Sequence, residues 1–369
     1  MKIGILTYHR APNYGSALQA YALSRYLNDR GQSAQVIDYH SPGQDTLLRL
    51  YTPARSLSGI GRNLYAFRHR RAFRRKQERF ESFRRDYLPL SATEYTDSSD
   101  LAECNDQYDR FVCGSDQIWN PLCTDFTDAY LLRFVAQKQR CVSYAASLAL
   151  ESLPEAFSSL FFESLRDFAA LSMRESQGAQ VIQELVGREV SVVPDPVLLL
   201  SADEWRRILP PRQIKKKYIF CYYIGDTPGM RRYARDLRRA TGYELVMVNR
   251  NLRELFYTCK KCYDAGPLEF LSLLAHSEFV CTNSFHAVMF SLIFQKNFRA
   301  FVAGGKTSSR SRIDHIAARM GLADRVTDFE VGPMPKLQLD TIDFESISPR
   351  VAQYASEGKD FLNHCFDIS

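Results

Sequence analysis

No apolar run in this chain approaches the ~20 residues that a membrane-spanning helix needs. Its first residues, Met1-Lys2-Ile3-Gly4-Ile5-Leu6, read as a buried strand running into a turn rather than as a secretory leader. There is no internal repeat and no low-complexity tract. The three-glycine spacing of a dinucleotide fingerprint is absent. No Ser-His-Asp order and no ligand set at metal spacing occurs, so neither hydrolase nor metalloenzyme chemistry has a motif to rest on, and no metal is expected. Cys259-Lys-Lys-Cys262 is a lone C-x-x-C with no second pair at zinc spacing. The nine cysteines are an odd count, scattered at apolar positions such as Cys113, Cys141, Cys221 and Cys281. They read as buried thiols of a reducing cytosol, so a cytoplasmic protein is expected.

What is present is an ordinary globular composition, 45% hydrophobic and 24% charged, over 369 residues. That length exceeds one typical core and favours two domains. Strand-like runs alternate with helix-like ones almost throughout, the rhythm of a mostly parallel sheet with helices on both faces. The expected division is an N-terminal α/β domain over 1–205, with a basic helical insertion at about 55–90. A second α/β domain covers 206–340, and a C-terminal helix over 341–369 crosses back to the first. The expected fold class is α/β, two Rossmann-like domains facing across a cleft in a GT-B-like arrangement.

Net charge is +6, and it is uneven. Residues 62–85 hold ten Lys/Arg against Glu78 and Glu81, with Phe73, Phe80, Phe83 and Tyr87 near helical spacing. The functional reading of this basic amphipathic helix is peripheral contact with an anionic membrane at its inner face, or with an acidic acceptor. The competing reading is a solvated helix whose stripe packs on the sheet. No nucleic-acid motif accompanies the charge, so no nucleic-acid partner is expected.

Four segments look like strand ends that face a ligand, the place where open α/β sheets bind. In His9-Arg10-Ala11-Pro12-Asn13-Tyr14-Gly15-Ser16, small residues open a helix whose N-terminus suits an anion; a plain turn and cap explains the same residues. Gly114-Ser115-Asp116-Gln117-Ile118-Trp119-Asn120 bunches polar groups with an indole, which suits a sugar, against the alternative of an Asx turn with a packing tryptophan. Ser172-Met173-Arg174-Glu175 puts a planar guanidinium fork at a strand end, for a ligand anion or for a structural ion pair. The fourth is the most informative. Phe279-Val280-Cys281-Thr282 ends in Asn283 and Ser284, and His286 opens an apolar helix, where an anion can be held and a proton moved. Arg310 and Arg312 follow in a polar loop. Pro194-Asp195-Pro196 reads as a structural strand exit.

Taken in order, these segments resemble the polysaccharide pyruvyl transferase family. The resemblance runs from residue 3 to about 325, through Gly4-Ile5-Leu6-Thr7-Tyr8-His9-Arg10, Asn13-Tyr14-Gly15, Leu18-Gln19-Ala20-Tyr21-Ala22-Leu23, Gly114 to Asn120, Ser172 to Glu175, Val193-Pro194-Asp195-Pro196, Glu269-Phe270-Leu271 and Thr282 to His286. It implies a GT-B-like fold, with the domain over 1–205 on the acceptor side and that over 206–340 on the donor side. It also implies transfer of the carboxyethylidene group of phosphoenolpyruvate to two hydroxyls of a sugar, in a polysaccharide or lipid-linked oligosaccharide precursor of capsule or exopolysaccharide. No cofactor is implied.

By position, His286 matches the family's catalytic histidine and Arg174 its donor-binding arginine. Two positions depart: many members carry arginine where Ser284 stands and aspartate where Ser16 stands. Donor binding then falls on Arg174, Asn283, Ser284, Arg310 and Arg312, and a carboxylate role passes to Asp116. Acceptor contacts are expected from Asn13, Tyr14, Gly15, Ser115, Gln117, Trp119 and Asn120. A nucleotide-sugar glycosyltransferase of the same architecture, or a non-catalytic sugar-binding relative, remains the alternative.

Overall fold

Ile3, Ile5 and Leu6 of the first strand are fully buried, as a parallel sheet covered on both faces requires. The computed structural model describes residues 1–44, 57–225, 228–248, 259–302, 308–328, 337 and 341–368, the side chains of 57–62, 228 and 308–311 excepted. The chain forms two units. The first comprises Met1–Leu47, Arg84–Ser201 and Pro349–Ser369, the second Leu48–Phe83 and Ala202–Ser348.

In the first unit, β1 (Lys2–Leu6), β2 (Ser33–Tyr39), β3 (Leu90–Tyr95), β4 (Arg110–Cys113) and β5 (Cys141–Ser143) form a parallel sheet of order β3-β2-β1-β4-β5. A short parallel pair, β6 (Ser172–Met173) and β7 (Ser191–Val192), continues it through bridges from Val142 to Ala170 and from Ala146 to Met173. The strand order reverses between β1 and β4, which marks the ligand-binding edge of such sheets. The helix Tyr14–Asn28 follows β1; the Asn13 side chain caps it by accepting from Gly15 N at 2.9 Å. Leu362 and Phe366, at the end of the chain, pack with Ile3, Ile5 and Val36 in one core cluster.

The second unit repeats the plan. β8 (Tyr218–Tyr222), β9 (Glu244–Met247), β10 (Lys260–Lys261), β11 (Phe279–Thr282), β12 (Asn297–Val302) and β13 (Val326–Asp328) are parallel in the order β10-β9-β8-β11-β12-β13. Here the order reverses between β8 and β11.

The basic segment forms helices Leu57–Arg68 and Arg70–Tyr87, and residues up to Phe83 group with the second unit rather than the first. Phe73, Phe80 and Phe83 are buried, and Phe73 clusters with Tyr65, Ala66 and Tyr263. The aromatic stripe is therefore packing surface. All nine cysteines are free thiols, five of them buried. Among the described residues no helix is long and apolar enough to cross a membrane.

Candidate functional site

At the carboxyl edge of the first sheet, charges are buried in a connected network. After β1, His9 Nε2 meets Asp38 Oδ1 at 2.8 Å, and Arg10 grips both oxygens of Asp38 at 2.7 and 2.6 Å. Arg10 also reaches Glu94 at 3.0 Å, so the ends of β1, β2 and β3 are joined. Burial alone would raise the Asp38 carboxyl, but hydrogen bonds and charge from His9 and Arg10 outweigh it and hold it well below the usual range.

After β4 the chain turns through Gly114 (φ +118) and Asp116 (φ +72). A Cβ at Gly114 would run into the Tyr144 carbonyl, so glycine is required there. Asp116 Oδ2 accepts from Ser16 Oγ at 2.5 Å, and its Oδ1 accepts from Gln117 N at 2.9 Å, with Arg174 Nη2 at 3.8 Å. Arg174 Nη1 donates to Asp195 Oδ2 at 2.6 Å, and Glu175 lies at 4.0 Å from Nε. Burial opposes the charge on Arg174, but Asp195, Asp116 and Glu175 together raise its pKa.

These contacts change several expectations. The Arg174 side chain is 1% exposed and lies among three carboxylates, with Nη1 bonded to Asp195, so it ties the strand ends together. Both oxygens of Asp116 accept a hydrogen bond, one from Ser16 and one from Gln117 N, so the side chain is held in place by the first helix and its own loop. Trp119 is fully buried; its Nε1 donates to Tyr130 O and its ring meets Phe161, so no indole face is open to a sugar. The Tyr14 ring is in the core, and the Ser115 hydroxyl is spent on Ala145 O at 2.7 Å. Gly15 is buried at the helix start. Asn120 is buried and accepts from Leu122 N. Of the expected acceptor residues, Asn13 is exposed and Gln117 partly so. Asp38 was missed from sequence; an aspartate near the end of an apolar strand was its only signal.

The edge of the second sheet is built differently. Thr282 Oγ1 donates to Tyr222 O at 2.5 Å and accepts from Ser284 N at 3.0 Å. The Asn283 amide accepts from Ile224 N at 2.7 Å and donates to Ile224 O at 2.8 Å. The ends of β8 and β11 are thus tied together, and Asn283 acts first as a clamp. Ser284 is the N-cap residue of the helix Phe285–Ile293, with extended backbone and no side-chain cap bond.

His286 is buried in the first turn of that helix, its ring edge-on to Phe285 at 5.4 Å. Arg312, also buried, holds its guanidinium 5.8 Å from the same Phe285 ring. It belongs to the helix Ser308–Met320, which follows β12. The Arg310 side chain and residues 303–307 lie outside the described residues. Arg231 is buried in the opening turn of the helix Pro228–Thr241, which follows β8. It was missed because no motif marks it.

Three adjacent strands, β8, β11 and β12, therefore each lead to a helix that carries a buried Arg231, His286 or Arg312 among its first five residues. Unpaired N–H groups of helix starts favour the same anions as these side chains. Among the described residues no cluster of side chains is arranged to hold a metal ion.

Comparison with known proteins agrees with this architecture. Solved structures similar to the chain include a protein from Listeria monocytogenes described as a UDP-N-acetylglucosamine 2-epimerase. It is 11% identical with TM-score 0.50, over 97% of each chain. The UDP-GlcNAc 2-epimerase from Neisseria meningitidis is 12% identical with TM-score 0.48, over 100% of this chain and 94% of that one. The E. coli heptosyltransferase WaaC is 10% identical with TM-score 0.42, over 96% and 100%. At such identities the likeness speaks to fold alone, and the fold is GT-B-like. No curated protein matches the sequence. The polysaccharide pyruvyl transferase family model matches residues 13–303. With most of its length inside that match, the chain belongs to the polysaccharide pyruvyl transferase family and is a transferase.

Proposed function

We propose that the protein transfers the carboxyethylidene group of phosphoenolpyruvate to two hydroxyls of one sugar, forming a cyclic pyruvate ketal. The observation that carries this reading is the arc of Arg231, His286 and Arg312 at three neighbouring helix starts of the second sheet. Phosphoenolpyruvate brings a carboxylate and a phosphate, and both are matched by guanidinium groups and helix N-termini.

In the reaction the methylene carbon of the donor takes a proton and C2 becomes an oxocarbenium-like centre. One sugar hydroxyl adds at C2, phosphate departs with the C2–O bond, and the second hydroxyl closes the ring. Of the two hydroxyl protons released, one balances the proton taken up by carbon and the other leaves with phosphate. His286 is the group for these transfers, since an imidazole ring can both give and take a proton. Arg312 is the charged neighbour that holds the donor, with Ser284, whose hydroxyl makes no cap bond, beside it.

The acceptor is proposed to be a sugar of a polysaccharide precursor, lipid-linked and met at the membrane surface on the cytoplasmic side, with Asn13 and Gln117 among its contacts. The chemistry uses no organic cofactor. His286→Ala lowers turnover by ~10²-fold or more, the usual share of a general acid–base group, while the circular dichroism and melting curve stay close to those of the unaltered protein. Near-normal turnover in that variant removes His286 from the mechanism.

A further inference from the structure

The basic helices bury one face and leave another outward, and the outward face is not simply polar. Backbone bonds from His69 N to Tyr65 O and from Phe73 N to His69 O carry the helical repeat across the junction between Leu57–Arg68 and Arg70–Tyr87. At 3.6 residues per turn, Tyr65, Ala66, Phe73 and Phe80 then share the buried side. Leu64, Phe67, Arg68, Arg71 and Arg74 fall on the opposite one. Leu64 is 69% exposed and Phe67 53% exposed, two of the few large apolar side chains so open among the described residues. Arg68, Arg71 and Arg74 are exposed and have no acidic partner among the described residues. Arg75, Arg79 and Arg85, by contrast, pair with Asp264, Glu269 or Asp86. The guanidinium of Arg70 sits 4.3 Å from the centre of the Phe67 ring.

From this arrangement we infer that residues 64–74 form a docking face for an anionic lipid bilayer. Two apolar side chains one turn apart are placed to enter the headgroup–acyl boundary, and arginines flank them at the depth of lipid phosphates. The patch spans about 15 Å of helix, a size suited to surface insertion and too short to span a membrane. Charge complementarity favours an anionic surface, and the exposed leucine and phenylalanine favour lipid over nucleic acid, whose phosphates offer Leu64 nothing. Residues 62–85 hold ten basic side chains against two glutamates, an excess of 10 − 2 = +8 that is larger than the +6 of the whole chain. The attraction therefore comes from this segment. Docking does not depend on the donor or on catalysis, so its test and that of pyruvyl transfer fail separately.

The test is co-sedimentation of the full chain with vesicles of phosphatidylcholine, with and without one-third phosphatidylglycerol, at low and high salt. Binding is expected to the anionic vesicles only and to weaken as salt rises. Leu64→Ser with Phe67→Ser is expected to weaken binding by about tenfold or more. Replacing Arg68, Arg71 and Arg74 by glutamine is expected to weaken it by about a hundredfold. All five side chains are exposed, and melting curves of the variants verify that the fold is kept. Equal binding to both vesicle types, no binding to either, or binding untouched by both sets of changes overturns the proposal. Tight retention by an RNA or DNA oligonucleotide that ignores Leu64 and Phe67 assigns the face to nucleic acid instead.

Discussion

Arg174 illustrates how a single residue type serves two purposes that only its neighbours distinguish. A guanidinium at a strand end suits a ligand carboxylate as well as it suits a buried ion cluster. Here Asp195 at 2.6 Å, Asp116 at 3.8 Å and Glu175 at 4.0 Å take the second option. Removing one member of a buried ion cluster leaves the others uncompensated, typically at about 3–5 kcal/mol. Arg174→Ala is therefore expected to lower the melting temperature sharply in the absence of any ligand. Arg174→Lys is expected to recover part of that loss, because charge is kept while the fork is lost. A thermal scan beside a donor titration checks this: unchanged melting with weakened donor binding contradicts the structural role.

Trp119 carries the same lesson in apolar form. Its sequence neighbours Asp116, Gln117 and Asn120 suggest a sugar platform, yet the following loop folds the indole under Tyr130 and Phe161. Nothing within residues 114–120 specifies that burial, which is decided by segments far along the chain.

Strand ends in the first sheet are joined by charge rather than by loop length. Asp38 at the end of β2 accepts from His9 and Arg10, which follow β1, and Arg10 reaches Glu94 in β3. Because the folded state holds the Asp38 carboxyl below its unfolded value, the stabilisation is fully present above about pH 4 and is lost as pH falls through the folded value. Asp38→Asn is expected to lower stability at pH 7 by about 3 kcal/mol. The gap between variant and parent is expected to narrow below about pH 4. Denaturant melts at a series of pH values check this, and a gap that stays constant into acid contradicts it.

Elements themselves were readable wherever local pattern and burial agree. The helix Tyr14–Asn28, stopped before Gly31 (φ +77), and the strand Phe279–Thr282 leading to His286 both lie where residue pattern puts them. The aromatic stripe of the basic helix was legible as an apolar face, but its partner Tyr263 is nearly two hundred residues away. A helical period says which side is apolar; it does not say what covers it.

At the scale of the whole molecule, two parallel sheets follow one plan, each reversing strand order next to its first strand. That repetition was legible as a β–turn–α rhythm, and the ordered motifs pointed to the family that the match over residues 13–303 shows. What pattern alone did not reveal is how differently the two sheet edges are built. Charges at the edge of the first are paired with one another, Arg10 with Asp38 and Arg174 with Asp195. At the edge of the second, Arg231, His286 and Arg312 follow neighbouring strands. Ser284 stands where many family members carry arginine, and on the proposed reading Arg231 and Arg312 supply positive charge in its place.

A nucleotide-sugar transferase of the same architecture would instead use that edge for a nucleoside diphosphate. Incubation with a panel of sugar acceptors, with phosphoenolpyruvate in one arm and UDP-sugars in the other, separates the two by phosphate release and product mass. One phosphate is expected to be released per carboxyethylidene group gained by an acceptor in the first arm, with no glycosyl transfer in the second. Glycosyl transfer from a UDP-sugar, with no phosphate released from phosphoenolpyruvate by any acceptor, would contradict it.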